Sequence, residues 1–215
     1  MAMTDFPAND LTRSGYLALP AGGKGKGVLV LHAWWGLTDF FKQTCDRLAA
    51  NGYVAFAPDL LHGQTAETIE EAERLDETRD EAAVQATAKG ALRFLQTHAA
   101  VQGDKLGTVG FSMGAFHALL LDEAHPDAFG GVVLFYGGSG EDLSGSKAQF
   151  QLHYAGDDDW EPLENVKKME APNADIHIYQ DAYHWFFEDN KPEHFKPEAA
   201  ELAWERMLAF LERTI

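Results

Sequence analysis

Short apolar runs rich in β-branched residues alternate with longer segments of helical period along nearly the whole chain. That order builds βαβ units, in which parallel strands lie side by side and helices cross between them. The reading is therefore an α/β fold, with a mainly parallel central sheet and helices on both faces. Strands are expected at Leu17 to Leu19, Val28 to His32, Tyr53 to Ala57, Leu106 to Gly110, Gly131 to Phe135, Gln149 to Tyr154 and Asp175 to Tyr179. Helices are expected from Thr38 to Ala50, Met113 to Asp122, after Pro162, and from Pro197 to Leu211. The stretch from Ala66 to Ala99 is also helical in period, with a break near Asp80, and its many Glu and Asp residues read as a solvated face. No repeat or linker interrupts residues 1–215, so one domain is expected, and the short Gly137 to Lys147 connection leaves no room for a large cap.

Composition removes several functions. Seventeen Lys and Arg against 34 Asp and Glu give a formal charge of −17, a field that repels phosphates and anionic headgroups. Nucleic acid and acidic membrane surfaces are thus poor partners. The apolar runs are far shorter than the roughly 20 residues that span a bilayer. A lone cysteine, Cys45, forms no internal disulfide, and the first fifteen residues lack the apolar core of a signal peptide. These features suggest a cytoplasmic protein, monomeric or a small homo-oligomer. Cys45 falls on the apolar face of its helix and reads as packing. The Gly-Lys-rich stretch Ala21 to Gly27 reads as a turn, since a phosphate-binding loop needs a Gly-Lys-Ser/Thr ending and a following helix. No cofactor or metal is implied.

Gly110-Phe111-Ser112-Met113-Gly114 lies between a predicted strand and a predicted helix, the context that makes G-x-S-x-G a nucleophile elbow. The turn pushes the serine hydroxyl out above the sheet, and it sets the Met113 N–H at a helix start, where it can stabilise an oxyanion. A serine hydroxyl attacks a carbonyl only when a base takes its proton, and the base must be oriented by an acid. In this fold the order is Ser, then Asp or Glu, then His. Asp157, Asp158 and Asp159 follow one strand, and His184 follows the next, both just beyond carboxyl ends where open α/β sheets place their sites. The acidic trio also admits a solvated loop or a weak cation site. Among the other histidines, His177, His117, His125, His194, His98, His62 and His153 read as structural or surface residues, while His32 is expected to line the site. Trp34, Trp35, Phe111, Tyr136, Trp160 and Trp185 are candidates for an aromatic pocket, against the alternative that they are core.

Together with His32-Ala33-Trp34-Trp35-Gly36, Ala57-Pro58-Asp59-Leu60, Tyr136-Gly137, His153 through Pro162 and Tyr179 through Phe186, the elbow resembles the dienelactone hydrolase family over nearly the whole chain. The resemblance implies an α/β-hydrolase fold and hydrolysis of small carboxylic esters or lactones. It implies backbone oxyanion donors at Met113 and Trp34. It selects Asp158 as the acid, because Pro162 lies four residues on, and His184 as the base, with Phe186 two residues on. The family's archetypes carry cysteine where this chain has Ser112, and glutamate where it has Ala33. The glutamate serves to generate a thiolate, so the two departures agree. A third departure sets Glu188 where the archetypes hold a substrate carboxylate with arginine, which points to neutral substrates. Thioester, peptide or perhydrolytic chemistry on the same three residues, or a binding protein with an idle elbow, are the rival readings.

Overall fold

The computed structural model describes residues 1–215 and contains eight strands and six helices. In chain order these are β1 (Ala2–Ala8), β2 (Leu11–Ala18), β3 (Gly25–Leu31), α1 (Asp39–Ala50), β4 (Val54–Pro58), α2 (Ile69–Thr78), α3 (Glu81–Thr97) and β5 (Val101–Phe111). They continue with α4 (Met113–Ala124), β6 (Phe129–Phe135), β7 (Gln149–Asp157), α5 (Leu163–Val166), β8 (Ala174–Tyr183) and α6 (Pro197–Thr214). The fold is α/β, with one eight-stranded sheet in the order β1-β2-β4-β3-β5-β6-β7-β8. Its β3–β4, β6–β7 and β7–β8 pairs are parallel. Two compact units, Met1–Thr108 and Val109–Ile215, divide the chain at a boundary inside β5.

In the first unit, β3 and β4 are almost wholly buried, which explains their continuous apolar runs: a parallel strand covered on both faces has no polar side. Phe56 of β4 packs against Phe6 and Phe94, with ring centroids 5.3 and 4.6 Å apart. The break near Asp80 has a local cause. Asp80 caps α3 by accepting the Ala83 N–H, and Thr68 with Glu71 forms a reciprocal capping box on α2. Of α2 only Ala72 is buried, so its acidic residues are solvated. Cys45 is fully buried, and burial pushes its thiol well above its ordinary range, so it stays a neutral packing group.

The structure corrects the reading most at the N-terminus. β1 was not anticipated, and β2 begins at Leu11, well before Leu17. The two strands form an antiparallel hairpin through Asn9-Asp10, with Asn9 at φ +52°, and β2 then pairs antiparallel with β4. Only Phe6 and Ala8 of β1 turn inward, too few to produce a legible alternation. In the second unit, β6 is buried throughout, and β7 runs on to Asp157 beyond the expected end at Tyr154. The segment from Tyr136 to Ala148 holds no helix or strand, and no helix is long and apolar enough to cross a membrane.

Truncating Phe56 to Ala removes a ring shared by β1, β4 and α3. The expected cost is about 3–5 kcal/mol, read as a lowered urea midpoint with an unchanged slope.

Candidate active site

The backbone at Ser112 is the first element of the site. β5 ends at Phe111 and α4 begins at Met113, so Ser112 alone reverses the chain, at φ +50° and ψ −113°. A non-glycine residue with positive φ is strained and persists only where its surroundings hold it. Here the Ser112 N–H donates to the Phe135 carbonyl, and the Ser112 carbonyl accepts from Ala115 N–H, each at 2.9 Å. Two glycines make the turn possible. A Cβ on Gly110 would lie 2.5 Å from the Gly114 carbonyl oxygen, and one on Gly137 would lie 2.4 Å from the Ser112 carbonyl oxygen.

His184 is delivered by a longer strand than the alternation predicted. β8 continues past Tyr179 to Tyr183 through a register shift, in which Ala155 faces Tyr179 but Asp157 faces Tyr183. The extra residues form a bulge, a device that bends a strand and redirects its end. His184 therefore directly follows β8, as Asp158 directly follows β7. Their side chains meet. His184 Nδ1 lies 2.9 and 3.0 Å from the two Asp158 carboxylate oxygens, and Nε2 lies 3.2 Å from Ser112 Oγ.

A carboxylate oxygen accepts, so pairing with Asp158 calls for Nδ1–H as the donor and leaves the Nε2 lone pair to face the Ser112 hydroxyl. Asp158 Oδ1 also accepts the N–H groups of Trp160 and Glu161, at 2.9 and 3.0 Å, and the Asp158 side chain is fully buried. Of the acidic trio, Asp157 and Asp159 are exposed and Asp158 alone reaches the imidazole. Ser112 is half-buried, and His184 retains 4% of its surface.

The aromatic candidates separate. Around His184 stand Trp185 at 4.8 Å, Tyr136 at 5.0 Å and Trp160 at 6.2 Å between ring centroids. Trp160 is 47% exposed and forms the rim, while Trp185 and Tyr136 are buried. Phe111 and Trp35, expected in a pocket, are core instead: Phe111 stacks on Phe135 at 4.8 Å, and Trp35 is 1% exposed. Trp34 is half-buried beside Trp35, following β3.

His32, expected to line the site, is fully buried, and both ring nitrogens are engaged, Nδ1 with the Ala33 carbonyl and Nε2 accepting Leu60 N–H. It has nothing left to offer a substrate. His153 is likewise closed off between the Tyr179 hydroxyl and Gln151 Oε1. Sequence reasoning missed the setting of Glu188: it is buried, and its Oε1 accepts the Tyr136 hydroxyl at 3.0 Å. A charged residue directly after Trp185-Phe186-Phe187 was the available signal.

The model of the dienelactone hydrolase family matches residues 14–215. The chain belongs to the dienelactone hydrolase family. Among curated members, Protein usf of Aquifex pyrophilus is 30% identical over 98% of this chain and 97% of its own. A Bradyrhizobium protein named as a probable 2-oxo-3-(5-oxofuran-2-ylidene)propanoate lactonase is 32% identical, over 98% of this chain and 93% of its own. The fold is also that of a solved dienelactone hydrolase-like promiscuous phosphotriesterase from metagenomic libraries. The TM-score is 0.85 at 21% identity, covering 99% of this chain and 97% of the other.

A methyl group at Gly110 meets backbone rather than a yielding side chain. Gly110→Ala is expected to lower stability by about 1–3 kcal/mol, measured by urea unfolding, whereas Gly22→Ala, in open space, should change it by less than about 1 kcal/mol.

Proposed function

We propose that this dienelactone hydrolase family member cleaves small, neutral carboxylic esters and lactones by acyl transfer through Ser112. The observation that carries this reading is the unbroken hydrogen-bonded series from Ser112 Oγ to His184 to buried Asp158. As Ser112 Oγ attacks the carbonyl carbon, His184 Nε2 takes its proton, and Asp158 stabilises the imidazolium that forms. The carbonyl oxygen becomes an oxyanion next to the start of α4. The first N–H groups of a helix have no partner within it, so the Met113 N–H is available there, and the helix dipole adds to its effect. Trp34 is the second donor implied by the family resemblance. His184 then protonates the departing alkoxide, which in a lactone stays tethered to the acyl group. Water, deprotonated by the same imidazole, releases the acid and restores Ser112.

The substrate class follows from the lining and the field. Trp160, 47% exposed, offers apolar surface beside His184, and the protein carries a charge of −17. Lactone hydrolysis is favoured by the relatives: besides the Bradyrhizobium lactonase, a Rhodococcus opacus member is named carboxymethylenebutenolidase.

Hydrolysis of p-nitrophenyl acetate and butyrate tests the assignment. Ser112→Ala and His184→Ala, with folding checked by circular dichroism, are expected to lose at least ~10³-fold in kcat/KM, and Asp158→Asn a comparable amount through the wrong imidazole tautomer. Full activity in folded Ser112→Ala would overturn the assignment.

A further inference from the structure

Glu188 is a buried acid that the acyl-transfer steps leave without a task. Its surface is wholly covered, Oε1 accepts the Tyr136 hydroxyl at 3.0 Å, and Oε2 is buried with no hydrogen-bond partner. A carboxyl group in such a place is costly as an anion and far less so as an acid. Its position is also specific. Glu188 N–H donates to the Trp185 carbonyl at 2.9 Å, so it belongs to the turn that presents His184. Tyr136, its partner, directly follows β6 and leads into Gly137, whose backbone abuts that of Ser112. The Tyr136 ring lies 5.0 Å from His184 and 5.6 Å from Phe186. One side-chain hydrogen bond therefore joins the turn carrying the candidate base to the turn that supports the candidate nucleophile.

We propose that Glu188, in its protonated form, is a positioning residue that acts through Tyr136 to hold His184 within reach of Ser112. The proposal rests on the acyl-transfer reading for its catalytic consequence, though not for the protonation itself. The groups facing Glu188 are consistent with a neutral acid. Tyr136 is held well above its ordinary range by burial, then by Glu188 and Asp158, so it remains a neutral donor. Burial raises the Glu188 carboxyl from 4.5 to about 8, opposed by the Tyr136 bond and Lys191 and reinforced by Asp189. The His184 ring lies 5.0 Å from that of Tyr136, and Asp158 is bonded to His184. An acid whose folded value is raised contributes stability that is complete below its unfolded value, near 4.5, and is lost as pH climbs through about 8. Ionisation then leaves a buried charge with one unpaired oxygen and loosens the turn.

The test compares Glu188→Gln, which mimics the neutral acid, with Glu188→Ala and wild type. Activity is read on p-nitrophenyl butyrate from pH 6 to 9.5 and stability by urea unfolding at pH 5 and 9. Wild type is expected to lose at least fivefold in kcat/KM between about pH 7.5 and 9.5, whereas Glu188→Gln changes less than about twofold over that range. Glu188→Ala is expected to fall at least about tenfold in kcat at pH 7 with KM altered less than twofold. The urea midpoint of wild type should drop from pH 5 to pH 9 by clearly more than that of Glu188→Gln. Should the enzyme be inert on esters, the stability comparison still decides whether Glu188 holds a proton. Equal pH dependence of stability in wild type and Glu188→Gln overturns the proposal. So does superposition of their activity profiles, or wild-type activity in folded Glu188→Ala.

Discussion

The strained backbone at Ser112 is the constraint to which the rest of the site is fitted. A φ of +50° on a serine is unfavourable by about 1–3 kcal/mol, and it persists because its neighbours leave no alternative. Phe135 takes its N–H from one side, and α4 takes its carbonyl from another. The glycines at 110 and 137 allow the backbone segments to approach closer than any side chain permits. The strain is repaid in geometry. It turns the hydroxyl toward His184 and sets it at the start of α4.

Burial then determines what each charged or acidic group around His184 can do. The Asp158 side chain is fully buried, and its carboxyl oxygens face His184 Nδ1 and accept two backbone N–H groups. Glu188 is buried with a single donor, and burial raises its carboxyl from 4.5 to about 8. Tyr136 lies between them and remains neutral. Trp160 alone of the surrounding rings is open to solvent.

Much of this was legible in the residues. The apolar runs of β3, β4 and β6 announced buried parallel strands, and Asp80 announced the break between α2 and α3, because side-chain capping is a local effect. The elbow was legible for the same reason: its glycines answer to a turn a few residues long. Other features were set by distant packing and stayed hidden. The β1–β2 hairpin turns only Phe6 and Ala8 of its first strand inward, and the bulge that carries β8 on to Tyr183 depends on its pairing with β7. His32 has the position of a site residue, but its two bonds, to Ala33 and Leu60, close it off. Phe111, inside the motif itself, points into the core, since alternate residues of a strand face opposite ways. Glu188 looked like a missing cation; its role as partner to Tyr136 required the fold, because the two are 52 residues apart.

Covalent labelling addresses the central claim most directly, because it reads the nucleophile rather than its consequences. Incubation with a fluorophosphonate, followed by intact-mass and peptide mass spectrometry, should show one equivalent on the peptide that contains Ser112. Labelling should vanish in Ser112→Ala and slow by orders of magnitude in His184→Ala. A protein that stays unlabelled, or that carries the adduct on another residue, would contradict the assignment of Ser112 and leave the elbow as a turn without a reaction.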